Sequence, residues 1–254
     1  MLDFLSQLHK RNSLLARFGW LFWAFAILCT IMYQAQPSNL VTGINAWIKP
    51  FKFAISIAIF SWTMAWFLHY LNEKSKVRTY SWVIVLVMLL EQSIIMWQAF
   101  NGEKSHFNIS TTLNAALFSI MGVAITILTL WTAYIAYLFF KQPAFSINKT
   151  YLWGIRLGLI MFVVFSFEGG IMAQRLAHSV GGPDGSPGLP LLNWSKELGD
   201  LRVAHFFGIH ALQLLPLVGR FLTTKPSQLF IISALYFIMV VVYLVEAFLA
   251  VPAF

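Results

Sequence analysis

Residues 200–213 read DLRVAHFFGIHALQ and set an acid, an arginine, two histidines and a glutamine inside one long apolar run. Histidine and carboxylate together supply proton exchange and metal ligation, and arginine holds anions. His205 and His210 are five residues apart, about 140° around a helix, so they lack the i, i+4 geometry of a two-histidine metal site. Each ring instead faces its surroundings separately. Ionisable groups are costly in hydrocarbon and persist there when they face a protein interior or a wet cavity. This segment is therefore the first candidate for function.

The elements that must position it are membrane helices. Of 254 residues, 59% are hydrophobic and 10% charged, against about 25% charged in soluble domains, and the mean hydropathy is +0.74. A span needs about 20 apolar residues. Seven runs qualify, at roughly 14–34, 51–71, 80–100, 111–140, 150–175, 200–221 and 228–250. The expected fold is all-α: a polytopic bundle of seven transmembrane helices forming one domain over 1–254. Residues 2–13 have the apolar and basic mix of a short interfacial helix. The first span has a basic start, but its core is long and no small-residue cleavage site follows, so it is expected to be retained. The one long connection, 176–199, carries GGPDGSPGLP; its turn residues forbid a continuing helix and suggest a lid folded over the bundle mouth.

The net charge of +8 comes from cations at the ends of apolar runs. In that position they set topology and meet headgroups, so nucleic acid is not an expected partner. Ten Lys/Arg flank one side, from Lys10, Arg11 and Arg17 to Arg220 and Lys225, against Lys49, Lys104 and Lys196 on the other. The N-terminus is expected inside and the C-terminus outside, in a bacterial cytoplasmic (inner) membrane. Cys29 is the single cysteine, which excludes an intramolecular disulfide and a cysteine metal cluster.

With that orientation, the polar groups gather in the outer half. At 1.5 Å per residue, Glu91 lies about 14 Å deep, Gln98 about 3 Å, Glu168 about 11 Å, Arg202 about 3 Å, His205 about 8 Å and His210 about 15 Å. Lys52, His106, Asn108 and His178 belong to the same side. On the sixth span Arg202, His205, His210 and Gln213 fall within about 140° of one face. Glu91 and Gln98 form a stripe, as do Glu168 and Arg175, and a shared polar cavity is the economical arrangement. Lys52, in the first turn of its helix, opposes the macrodipole and calls for a carboxylate such as Glu91 or Glu168, or a bound anion. Asp200 is the expected cap of the sixth span.

Three functions fit. The first is a metal- or haem-dependent membrane enzyme or binding protein acting on a small or lipid-soluble substrate. His178, His205, His210 and His106 are its candidate ligands for a metal ion or haem b, and Glu91, Glu168, His205 and His210 its proton-exchanging residues. Lys52, Gln98, Asn108, Arg202 and Gln213 would bind the substrate. The second is a proton-coupled transporter or channel using Glu91 and Glu168, and the third an assembly subunit. Expected partners are the lipid bilayer, a small-molecule or lipid-soluble ligand, and a second copy of the chain. No H-E-x-x-H, no G-x-S-x-G and no lysine in the seventh span are present, which removes the common metalloprotease, lipase-like and retinal-binding signatures. No repeat between the halves is visible in the sequence.

Overall fold

A computed structural model describes residues 2–186 and 188–254. It is mainly helical: α1 (Leu2–Arg11), α2 (Ser13–Ala35), α3 (Ile48–Leu68), α4 (Lys74–Phe100), α5 (Thr112–Lys141), α6 (Lys149–Arg175), α7 (Leu201–Leu217) and α8 (Pro226–Phe248). Two short ribbons add β1 (Leu40–Val41) with β2 (Ile44–Asn45), and β3 (Ser179–Val180) with β4 (Gly199–Asp200). Among the described residues seven helices are long and apolar enough to cross a membrane. The protein is an all-α integral membrane protein. The expected spans hold, with two starting earlier than hydropathy suggests, at Ile48 and Lys74. A polar first turn, KSKVR, carries α4 beyond its apolar core.

The chain divides into two compact units, parted between Leu128 and Thr129 within α5. In unit 1, α2 packs closest on α3, and α4 lies against α3. Asn12 caps α2 by accepting from Leu15 N–H, and its amide donates to Ser81 Oγ of α4 at 2.8 Å. Trp62 of α3 donates to Ala16 O of α2 at 3.1 Å and covers Gly19, where a Cβ would collide with the indole. The β1–β2 turn has positive φ at Thr42 and Gly43, the conformation of a tight two-residue hairpin. Gln36 anchors this ribbon: its side-chain oxygen accepts from Trp47 Nε1 at 2.8 Å and from Asn39, whose amide also reaches Ala99 O of α4.

Unit 2 repeats the order of helix, ribbon, helix, tight turn, helix. Asn148 caps α6 by accepting from Thr150 N–H. Here α6 packs closest on α7, and α8 lies against α7. The α6–α7 seam is made of glycine: a Cβ on Gly154 would sit 2.6 Å from Leu215 O, one on Gly158 2.9 Å from Ala211 O, and one on Gly208 would overlap the Phe165 ring. Met161, Phe165, Ala204, Ala211, Leu215 and Val240 form the core between the three helices. Arg156 is satisfied inside the unit, donating to Phe139 O at 2.9 Å and stacking 5.0 Å from the Phe140 and Trp153 ring centres.

The α7 helix ends irregularly. Pro216 lies within it and Val218–Leu222 forms a π-turn. Proline removes one backbone donor and crowds the turn before it, and the helix closes in the π-turn, with Thr223 extended beyond it.

Candidate functional site

Among the described residues two carboxylates are deeply buried within spans, one in each unit: Glu91 at 4% exposure and Glu168 at 6%. In both, Oε1 is buried without a hydrogen-bond partner. Glu91 lies on α4, and the lysine whose charge acts on it is Lys49, in the first turn of α3. Lys52 sits half-buried one turn further along α3. One residue along α4, Gln92 donates to Pro50 O at 3.1 Å while its own Oε1 has no partner. Gln98, also buried, donates to Asn114 Oδ1 at 2.8 Å, and Asn114 passes the chain to Ser110 Oγ. Asn108 closes this loop on Glu103 at 3.0 Å and lines an open cleft of about 520 Å³ beside the β1–β2 ribbon. His106 bonds Ser105 and packs among the Phe53, Phe107 and Phe118 rings.

In unit 2, Glu168 of α6 meets His205 of α7, with Oε2 and Nδ1 3.1 Å apart. Glycine permits the contact: a Cβ on Gly169 would lie 3.0 Å from His205 Cε1. Glu168 therefore pairs with His205 and not with Arg175, which is exposed, or Arg202. His210 donates Nδ1–H back to Phe206 O at 2.7 Å and packs on the Phe206 ring. A carbonyl only accepts, so Nδ1 carries the proton. Gln213 is half-buried, further along the same helix.

Arg202 is held by Asp200. Its Nε and Nη2 grip the two oxygens of Asp200 at 2.9 and 2.6 Å, and Nη2 also donates to Asn193 O. Asp200 caps α7 through Arg202 N–H and accepts from Ser195 N–H at 2.9 Å. Burial pushes the Asp200 carboxyl up. The Arg202 hydrogen bond and charge, the Ser195 N–H and nearby His178 outweigh this and hold it below its ordinary value. His178 lies 3.3 Å from Asp184 and 3.9 Å from Asp200, and the backbone N–H groups of His178 and Ser179 also bind Asp184. These contacts, with the β3–β4 pairing, fasten the 176–199 connection onto the end of α7. Trp194 seals it, buried against Phe206, Phe207 and Phe254.

The metal expectation meets a geometric obstacle. Among the described residues no group of three or more His, Cys, Asp or Glu side chains is placed to hold a metal ion. His178 is engaged by carboxylates, His106 lies among aromatic rings and His210 is turned onto its own helix. Sequence reasoning missed Asp184, Lys49 and Gln92. Asp184 sits in a turn-rich stretch where an acid reads as a turn residue, and Gln92 next to Glu91 breaks a stripe drawn at seven-residue spacing.

No family model matches the chain, and neither a curated protein nor a solved structure matches it.

Proposed function

We propose that this membrane protein binds a small or lipid-soluble molecule at the Glu168–His205 pair, in the outer half of the bilayer, and exchanges a proton with it. One observation carries the reading: a carboxylate 6% exposed within a span, bonded to a histidine on one oxygen and unpartnered on the other. An unsatisfied buried acceptor costs about 1–3 kcal/mol, and a bound polar group would recover that cost. Groups paired in this way at a protein interior are suited to proton exchange. The Lys/Arg asymmetry supports the outward placement, and the fastened 176–199 connection would serve as the lid. Haem b or a metal ion, held by His205 or His210, is the form of this reading with an inorganic ligand. The dispersed histidines favour an organic one.

The test is to purify the protein in native lipid and analyse what it retains, by mass spectrometry for organic molecules and by absorbance and elemental analysis for haem and metal. A molecule kept by the wild type and lost from Glu168→Ala and His205→Ala is expected. An identical retained set in all three would overturn the reading.

A second reading, proton-coupled transport using Glu91 and Glu168, is favoured by one specific observation. Each of two units of like element order carries one buried carboxylate with an unpartnered oxygen, and tandem helix units are common in transporters. Proton uptake into liposomes that survives Glu91→Gln with Glu168→Gln would end it.

A further inference from the structure

One end of unit 1 collects cations without the acids to match them. Lys10 and Arg11 end α1, Arg17 lies near the start of α2, and Lys74, Lys76 and Arg78 open α4. Over 2–17 and 69–78 these six cations meet two acids, Asp3 and Glu73. Among the described residues none of the six forms an ion pair.

Packing gathers three of them. The α1 helix is pinned to α3: Leu8 is fully buried, and the Phe4 ring stacks on Trp66 with centres 5.2 Å apart. That seats the Arg11 guanidinium 3.7 Å over the Trp66 ring and 5.0 Å over Tyr70, with one hydrogen bond, to Trp66 O at 3.4 Å. From α4, Lys74 reaches the same stretch and donates to His69 O at 3.2 Å and Leu71 O at 2.8 Å. Both charges act on the His69 ring. Lys10, next to Arg11, is exposed. A guanidinium has five N–H donors and an ammonium three, so each cation keeps donors to spare. Rings and carbonyls orient these cations and carry no net charge to neutralise them.

A membrane surface supplies the missing countercharge. Basic residues at the end of a span and on an interfacial helix attract anionic lipid heads. Trp20 and Trp82, two turns into α2 and α4, are exposed, in the position of an interfacial aromatic belt. The cations beyond them then stand at headgroup level. We infer that Arg11, Lys10 and Lys74 hold the phosphodiester of an anionic phospholipid at this end of unit 1. Arg11 is half-buried with Nε sealed, so its Nη end meets the phosphate, and the lysines add charge. A zwitterionic head brings its own cation among three others and is held less well.

The experiment incubates the full chain in detergent with equal phosphatidylglycerol and phosphatidylcholine, and counts bound lipid by native mass spectrometry. The wild type is expected to retain phosphatidylglycerol over phosphatidylcholine by about tenfold or more. Lys10→Gln and Lys74→Gln should each lower that preference about fivefold, and Arg11→Gln at least as far. Both lysines are exposed, so their variants test the site even where Arg11→Gln unseats α1. Lys225→Gln, in unit 2, should leave the preference unchanged, and excess soluble glycerophosphoglycerol should not displace the lipid. Equal retention of the two lipids would overturn the site. So would a loss in Lys225→Gln matching that in Lys10→Gln, which reduces the preference to general surface attraction. Displacement by the soluble head would overturn the lipid in favour of a free phosphate ester.

Discussion

Units 1 and 2 share one order of elements and hold their closest helix pair by opposite means. In unit 1 the α2–α3 seam is filled by rings: Trp62 lies over Gly19, edge-on to Trp20 and tilted against Trp23. In unit 2 backbone meets backbone across the α6–α7 seam at Gly154 and Gly158, and the Phe165 ring lies over Gly208. Small residues let membrane helices approach closely, and that closeness lets a carboxylate on one helix touch a histidine on the next. Unit 1 buries a carboxylate too, on α4, where a lysine acts on it from a distance. The same plan therefore yields a direct acid–base contact only where glycine lines the seam.

The strongest way to break this contrast is at the seam. Gly154→Leu should abolish accumulation of folded protein, and Gly154→Ala should cost about 3 kcal/mol, because the added carbon meets the fixed backbone at Leu215 and Pro216. Gly19→Ala should cost about 1 kcal/mol, since the Trp62 ring can swing aside at the loss of its bond to Ala16 O. Unfolding in mixed micelles measures both, and equal costs would erase the difference between the units.

Next comes the fastening of the 176–199 connection, which has no counterpart of its length in unit 1. Asp200→Asn should cost about 3 kcal/mol by leaving Arg202 without its carboxylate. Because the folded Asp200 carboxyl lies below its ordinary value of 3.8, its contribution is present above that value and lost as pH falls further. Limited proteolysis of 176–199 should be slow at neutral pH and accelerate below about pH 4, with Asp200→Asn fast throughout. A smaller effect separates the carboxylates: Glu168→Gln should lower proton exchange about tenfold or more, while Glu91→Gln leaves retention of the bound molecule unchanged.

The smallest effect belongs to unit 1. Burial, with the charges of Arg11 and Lys74, lowers the His69 pKa from 6.5, so stability is full above that value and declines slightly as pH falls through the lowered one. His69→Gln should flatten the decline in thermal midpoint between about pH 7 and 5. A slope that persists in the variant would assign it elsewhere.

The spans were legible because hydropathy alone carries them, and so was the cap at Asp200. The separation of His205 from His210 came from their five-residue spacing. What the sequence concealed was partnership. Glu168 had several cations and the α7 histidines as candidate partners, and the close α6–α7 seam selects His205, through a contact between residues 37 apart in sequence. Lys49 and Lys52 are three residues apart in one helix, and hydropathy cannot say which feels Glu91. The tandem order stayed invisible because rings fill one seam and glycines the other, so the two units share no sequence pattern beyond an asparagine cap.

The π-turn at Val218–Leu222 has a consequence for the way α7 is counted. A π-turn holds one residue more than an α-turn needs, and here it closes the helix, because Thr223 is extended. A cysteine-labelling scan would keep a 3.6-residue beat from 201 to 217 and then skip. Removing one residue from 218–222 should let the last turn close as an α-turn, making this the place where the span best survives a single deletion.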